Sequence, residues 1–152
     1  MRLLLRANAH RPVDAGLEVA ASPDTPTRPE PWRWNLRLLD GLPGDGAAAI
    51  ALETDSPWAA LVVDTDPTAV RPDVSVVTLD GTCRVERPED DLLALVVTSG
   101  SALIEGRHAL APGDAMVLTG EDPLSVDATG TDGTMILVRL SPSDGSAVAW
   151  VP

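Results

Sequence analysis

The 152-residue sequence predicts an all-β protein with few or no helices. Short runs rich in Val, Leu and Thr are separated by Gly, Asp, Pro and Ser, which is the spacing of strands in a β-sandwich or barrel. No window keeps apolar residues at helical spacing for three turns, and fourteen prolines would interrupt such a helix. The chain is long enough for one domain with an ordinary buried core.

Two glycine turns mark the clearest predicted strands. The segment VSVVTLDGTCRVE, residues 74–86, places Asp80-Gly81 between two β-branched runs, and this pattern predicts a hairpin because Gly accepts a positive φ. The segment LLALVVTSGSALIEG, residues 92–106, repeats the arrangement around Ser99-Gly100. The other predicted strands lie within residues 47–53, 58–64, 114–128 and 131–140, and proline-rich loops are predicted at 22–31 and 65–72.

The chain is predicted to form a single domain over residues 1–141, followed by a tail over residues 142–152. The tail begins as a loop and ends in AVAWV, a run with strand character. A terminal strand of this kind usually docks, so we interpret the tail as an extra edge strand or as a strand that docks on a partner.

The charge of the chain argues against two classes of partner. Every cation is an arginine, and the formal net charge is −12 at pH 7. Nucleic acid and anionic lipid both require a basic face, so we predict no nucleic acid and no membrane partner. No run approaches the roughly eighteen apolar residues of a membrane span, and no secretory signal is recognised, so a cytoplasmic location is expected. The Arg-only, Ala-rich composition is typical of a GC-rich bacterial genome.

Two stretches resemble a known superfamily. The segment GSALIEGRHALAPGDAMVLTG, residues 100–120, resembles the second half of a cupin in its strands and Pro-Gly-Asp turn, and the likeness extends over about residues 92–140. The opening MRLLLRANAHRPVDAGLEVAASP, followed by PWRWNLRLLDG, resembles the HutD family of metal-free double cupins associated with histidine utilisation. The Trp-Arg pair of that family corresponds here to Trp32-Arg33 or Arg33-Trp34. RPVDAG, residues 11–16, replaces the family's Trp-Lys-Asn and glycine cluster, so no functional residue of that loop is carried over.

The resemblance implies both a fold and a role. The fold would be a cupin-like β-sandwich or barrel, single or double. The role would be to bind a small anionic metabolite, or to regulate or support a catabolic pathway.

The histidine content argues against a metal centre. A metal-binding cupin usually supplies two or three imidazoles and a carboxylate, whereas this chain has only His10 and His108. Neither histidine belongs to a His-x-His pair, and Glu121 and Asp122, near the expected ligand position, fit a solvated turn. We therefore predict no metal and no cofactor, with His108 as a scaffold residue at a turn or strand end.

Residues 32–39 form the best candidate binding strand, because their polarity alternates. Trp32, Trp34, Leu36 and Leu38 share one face, and Arg33, Asn35 and Arg37 share the other. The guanidinium groups could clamp a small carboxylate, or the indoles could stack on a planar ligand. The alternative is that Trp and Leu form the core while the arginines face solvent or pair with Asp and Glu. The candidate ligand-binding residues are Trp32, Arg33, Trp34, Asn35 and Arg37.

The other chemical groups indicate structural roles. Cys83 is the single cysteine, which excludes an intrachain disulfide and a zinc site of paired thiolates, and it is interpreted as a buried structural thiol. The run ERPEDD, residues 86–91, is interpreted as a solvated loop. No catalytic residue is predicted.

We predict a non-enzymatic homodimer formed through strand or sheet contacts. One alternative is a cupin-type isomerase or lyase that uses positioned carboxylates and arginines, with an acid–base pair of perturbed pKa. The other is a structural or protein-interaction module that uses the Trp150 tail as its contact.

Overall fold

The computed structural model describes residues 3–22, 34–43, 49–143 and 148. Within these ranges the chain forms fourteen strands and one short 3-10 helix at Ala7–Ala9. The strands are β1 Leu3–Leu5, β2 Arg11–Val13, β3 Gly16–Ser22, β4 Trp34–Leu39, β5 Ala49–Ala51, β6 Ala60–Thr65, β7 Val70–Thr78, β8 Gly81–Glu86, β9 Leu92–Ser99, β10 Ala102–Ile104, β11 His108–Leu110, β12 Ala115–Leu118, β13 Ser125–Gly130 and β14 Thr134–Pro142. The predicted all-β class is confirmed.

The strands form three antiparallel sheets. The central sheet has the order β1-β12-β9-β14-β7. The N-terminal sheet has the order β2-β3-β4-β6-β5, and the C-terminal sheet has the order β11-β10-β13-β8. The second half of the chain alternates between the central and C-terminal sheets, because β7, β9, β12 and β14 enter one sheet and β8, β10, β11 and β13 enter the other.

The central sheet is covered on both faces at β9, which is buried along its whole length. Its even-numbered residues, such as Ala94 and Val96, join the first core, which includes Leu36, Leu38 and Leu61 of the N-terminal sheet. The odd-numbered residues of β9 from Leu93 to Val97 join the second core. The second core includes Leu93, Leu95, Ile104, Leu110, Met116, Val126 and Met135. Each fully buried aliphatic side chain stabilises the fold by roughly 1.5–3 kcal/mol, so the cores need no Phe or Tyr.

The predicted hairpins at Asp80-Gly81 and Ser99-Gly100 are wrong, although strands flank both turns. β7 pairs with β14 in the central sheet, whereas β8 pairs with β13 in the C-terminal sheet. Gly81 and Gly100 have φ of 96° and 65°, so each glycine allows a sharp turn that transfers the chain between sheets. The hairpin that does form in this region joins β10 to β11 through residues 105–107, with Glu105 and Gly106 both at positive φ.

The predicted solvated loop at residues 86–91 is wrong for two of its charged groups. Arg87 is 3% exposed and Asp91 is 5% exposed. The Arg87 guanidinium donates hydrogen bonds to the backbone carbonyls of Pro88, Glu89, Asp91, Gly120 and Asp122. A buried guanidinium needs several acceptors, and here the carbonyls of two connecting loops supply them.

Val148 of the tail contacts the body of the same chain. It is buried in the first core, its N–H donates to the Asp90 carbonyl at 3.0 Å, and its carbonyl accepts from Thr119 Oγ1 at 2.9 Å. The rest of the tail after Ser143 lies outside the described residues, so the division at residue 141 and a tail strand remain predictions. None of the helical segments in the described ranges has the length and apolarity needed to cross a bilayer.

Candidate functional site

The tryptophan face of the predicted binding strand lies in the first core. Trp34 is 1% exposed and packs in the same cluster as Leu36 and Leu38. Trp32 and Arg33 lie outside the described residues. Stacking of a planar ligand on Trp34 is therefore blocked by the core that already surrounds it.

On the opposite face of the N-terminal sheet, polar residues of four adjacent strands form a row. We call this row the polar strip: Arg11, Glu18, Asn35, Arg37 and Asp64. Strand pairing assembles it, because Glu18 lies opposite both Arg11 of β2 and Arg37 of β4, and Asp64 of β6 lies opposite Asn35. Cross-strand neighbours on one face are close enough for their side chains to meet.

Hydrogen bonds and ion pairs hold the polar strip in place. Asn35 is 1% exposed, and its Nδ2 donates to the Glu18 carboxylate. Arg37 Nη2 donates to Asp64 Oδ2 at 2.6 Å, with both side chains about a quarter exposed. Arg11 Nη1 lies 3.9 Å from Glu18 Oε1. The strip therefore has a buried floor at Asn35 and Glu18 and a more open end at Arg37 and Asp64.

Two buried atoms of the strip have no hydrogen-bond partner in the described structure: Asn35 Oδ1 and Arg37 Nε. The Asn35 amide is oriented by Glu18, because a carboxylate accepts and the Nδ2 group must face it. Asn35 Oδ1 is then an unpaired acceptor, and Arg37 Nε–H is an unpaired donor. The two residues lie two positions apart on the same face of β4. A buried polar atom without a partner costs about 1–3 kcal/mol, so both atoms favour a ligand that completes them.

The strip is also locally neutral. Its two arginines balance its two carboxylates, whereas the chain as a whole carries a net charge of −12. An anion that approaches the strip meets guanidinium groups at close range. Most other charged surface of so acidic a chain would repel it.

The Pro-Gly-Asp turn between β11 and β12 is a structural joint. Asp114 Oδ1 accepts from the Ala7 N–H at 2.8 Å, and Oδ2 accepts from the Ala111 N–H at 3.0 Å and from Arg6 Nη1 at 2.8 Å. Burial raises the pKa of Asp114, but the N–H groups of Ala111 and Ala7 together with the Arg6 guanidinium outweigh burial and lower that pKa below 3.8. The turn thereby anchors the N-terminal segment.

The two histidines lie in different surroundings. His10 is 8% exposed, and its Nε2 donates to the Gly113 carbonyl at 2.6 Å, which places the proton on Nε2. His108 is half-buried at the start of β11, where it pairs with Ile104. Among the residues that the structure describes, no group of three or more His, Cys, Asp or Glu could hold a metal ion. The absence of a metal remains a prediction.

A cleft of about 440 Å³, which the sequence analysis missed, lies at one end of the N-terminal sheet. It is lined by residues that include Asp40, Leu42, Leu52, Glu53 and Trp58. Its residues are spread over the end of β4 and the β5–β6 connection, so no compact motif could have revealed it. Its two carboxylates, Asp40 and Glu53, would repel an anion, and no arginine is among the described residues that line it.

The three antiparallel sheets form a β-sandwich in which the central sheet contributes to both cores. No known family model and no curated protein sequence matches the chain. Among solved structures, the fold is similar to the conserved protein of unknown function PA5104 from Pseudomonas aeruginosa PAO1, with a TM-score of 0.63 and 14% identity over 93% of this chain and 99% of that chain. It is also similar to HutD from Pseudomonas fluorescens SBW25, with a TM-score of 0.59 and 12% identity over 93% of this chain and 99% of that chain.

A third similarity is weaker. Quercetin 2,3-dioxygenase from Acinetobacter baumannii aligns with a TM-score of 0.40 and 16% identity over 86% of this chain and 38% of that chain, and no argument rests on it. The first two similarities confirm the predicted cupin-like, HutD-like fold.

Proposed function

We propose that this cupin-like protein is a metal-free, non-catalytic binding protein for small organic anions, with its site at the polar strip. The observation that carries the proposal is the pair of buried, unpartnered atoms, Asn35 Oδ1 and Arg37 Nε. One is an acceptor and the other a charged donor. A ligand that has both a carboxylate and a hydrogen-bond donor would form hydrogen bonds with both atoms.

The expected ligand is a small carboxylic acid that carries an O–H or N–H group. Its carboxylate accepts from Arg37 Nε–H, and its own donor reaches Asn35 Oδ1. A hydrogen bond to a charged group contributes roughly 1.5–3 kcal/mol. Asp64 stays bound to Arg37 Nη2 and orients the guanidinium for this contact.

A HutD-like role adds a biological setting to the proposal. The fold is similar to that of HutD from Pseudomonas fluorescens SBW25. By analogy, the protein would regulate or support a catabolic pathway in the cytoplasm of a bacterium by sensing or carrying a carboxylate intermediate.

Asp114 is not suited to be the general acid or base that the isomerase or lyase alternative requires. A general acid or base needs a pKa close to the working pH. The pKa of Asp114 is lowered, which takes it further from neutral pH, and both of its oxygens already accept hydrogen bonds. This carboxylate is suited to holding a turn rather than to moving a substrate proton.

The proposal is tested by calorimetric titration and thermal shift with a matched ligand pair, lactate and propionate, which differ by one hydroxyl. We expect lactate to bind about ten-fold more tightly, because one hydrogen bond to Asn35 Oδ1 is worth about 1.4 kcal/mol. A ligand at 100 times its Kd should add roughly 2.7 kcal/mol of stability.

The matched variants are Arg37→Lys, which removes the Nε–H donor and keeps the cation, and Arg107→Lys, on an exposed arginine outside the strip. Arg37→Lys should weaken lactate binding at least ten-fold, and Arg107→Lys should leave it unchanged. Equal binding by both variants, or no stabilisation by any small carboxylate, would exclude the polar strip as an anion site.

A further inference from the structure

Strand β7 forms an exposed edge of the central sheet. One side of it pairs with β14, and no other described strand pairs with its opposite side. It is nine residues long, whereas the edge strand β8 has six residues and the edge strands β1, β2, β5 and β11 have three each. The Val76 side chain of β7 is 54% exposed, whereas valine is among the residue types that are most often buried. A long exposed edge is a template for pairing with another strand.

The backbone hydrogen bonds determine which groups of β7 face outward. The Leu79 N–H donates to the Gly133 carbonyl at 2.7 Å, and the Ser143 N–H donates to the Ala69 carbonyl at 3.0 Å. In the register of β7 with β14, these bonds assign the odd-numbered residues to the internal ladder. The N–H and carbonyl groups of Val74, Val76 and Thr78 therefore point away from the sheet.

Pro72 follows the same alternation. It lies opposite Leu140 in the register, on the outward-facing set, where its missing N–H costs no bond to β14. Because Pro72 has no N–H, the outward-facing N–H groups of β7 begin only at Val74. The edge that remains free for pairing is therefore Val74–Thr78.

This five-residue edge is complementary to itself. Residues 74–78, VSVVT, carry no charge, so two chains of net charge −12 can approach there without like charges in direct contact. About a two-fold axis, Val76 would face Val76 of the second copy, and Val74 would face Thr78 in both directions. Each of these three pairs exchanges two hydrogen bonds.

We propose that two copies of this chain form a symmetric dimer in which their β7 edges pair antiparallel over Val74–Thr78. The two five-stranded central sheets then become one continuous sheet, and the exposed Val76 side chains cover each other. This interface is isologous, so it closes at two copies. It is separate from the polar strip, and it goes beyond the binding function proposed above.

The first test measures the mass in solution by light scattering and sedimentation for three proteins. Val76→Pro removes the outward N–H in the way that Pro72 already does, so it keeps the ladder to β14. Val76→Thr is the matched control, since it keeps both the N–H and the β-branched shape. We expect two-chain mass for the wild type and Val76→Thr, and one-chain mass for Val76→Pro with an unchanged circular dichroism spectrum.

Two further variants keep the test decisive if Val76→Pro misfolds. Val76→Glu leaves the backbone intact and sets two carboxylates against each other, so it should also give one-chain mass. In a Cys83→Ser background, Val76→Cys should form a disulfide-linked dimer, because hydrogen-bonded partners have Cα atoms about 5.5 Å apart. Leu103→Cys in the same background, on exposed β10, should not cross-link.

A wild type that stays at one-chain mass at every concentration would overturn the proposal. A dimer that persists in both Val76→Pro and Val76→Glu would overturn it as well, because the contact would then lie elsewhere. Loss of the dimer with lactate binding retained would leave the anion-binding proposal standing, so the two proposals fail separately.

Discussion

At the scale of single residues, two glycines adopt the same backbone conformation in different surroundings. Gly113 has φ of 91° and Gly81 has φ of 96°. A Cβ added at Gly113 would lie 2.3 Å from Trp58 Cη2 and 2.8 Å from Ala7 Cβ, whereas one at Gly81 would have nothing within 4 Å. The two positions therefore separate the cost of a positive φ from the cost of a steric clash.

Gly113→Ala should destabilise the protein more than Gly81→Ala. The change at Gly81 is expected to cost about 1 kcal/mol, since an L-residue is strained at positive φ. Gly113→Ala should cost roughly 1–3 kcal/mol more, because Trp58 and Ala7 are packed against the turn. Urea unfolding of the two variants measures the difference, and equal losses would mean that Trp58 moves freely away from the turn.

The residues of the candidate site were only partly predictable. Alternation over residues 32–39 assigned Trp34 to one face and Asn35 and Arg37 to the other, as the structure has them. Their partners Glu18 and Asp64 could not be found in this way, because they come from β3 and β6 through tertiary strand pairing. The pairing of Arg37 with Asp64 agrees with the alternative that arginines bind the abundant acids.

At the scale of elements, the sequence indicated where strands lie more reliably than what they pair with. Glycine at positive φ ends a strand locally, so Gly81 and Gly100 were informative about boundaries. The sheet that each strand joins depends on burial of its two faces, which is not a local property. Residues 65–72 were predicted as a loop, yet β7 begins at Val70, because Pro72 is tolerated on the outward side of an edge strand.

Asp114 joins elements that are distant in sequence, which makes its carboxylate a test of that joint. Arg6 and Ala7 follow β1, and Ala111 precedes β12, and all three donate to Asp114. Asp114→Asn should cost about 2 kcal/mol at neutral pH, because an amide cannot accept at both oxygen positions and leaves a partly buried N–H unpaired. Asp127→Asn is the control, since its ion pair with Arg84 is exposed and worth under about 1 kcal/mol.

The loss caused by Asp114→Asn should depend on pH in a defined direction. The folded pKa of Asp114 lies below its ordinary value of 3.8, so its stabilisation is complete above that value and is lost as pH falls through the folded pKa. The difference in free energy of unfolding between the wild type and Asp114→Asn should therefore be constant near neutrality and narrow in acid. A difference that widens as pH falls would contradict this assignment.

At the scale of the whole molecule, the central sheet ties the two cores together. Its strand β9 sends Ala94 and Val96 into the first core and Leu93 and Leu95 into the second. Residues 92–97 of β9, LLALVV, are all apolar without alternation, which is typical of a strand covered on both faces. This run made a buried strand predictable, but the three-layer arrangement depends on which sheets cover it.

Because β9 belongs to both cores, the molecule should unfold in a single cooperative transition. Leu36→Ala in the first core and Ile104→Ala in the second should each cost about 2–5 kcal/mol, since both side chains are fully buried. Of the described tryptophans, Trp34 lies in the first core and Trp58 packs against it. Ile104→Ala should nevertheless shift the tryptophan fluorescence and far-UV circular dichroism midpoints together in urea. If instead the fluorescence midpoint stayed at its wild-type value while circular dichroism showed an earlier phase, the C-terminal sheet would unfold independently and the shared strand would not couple the layers.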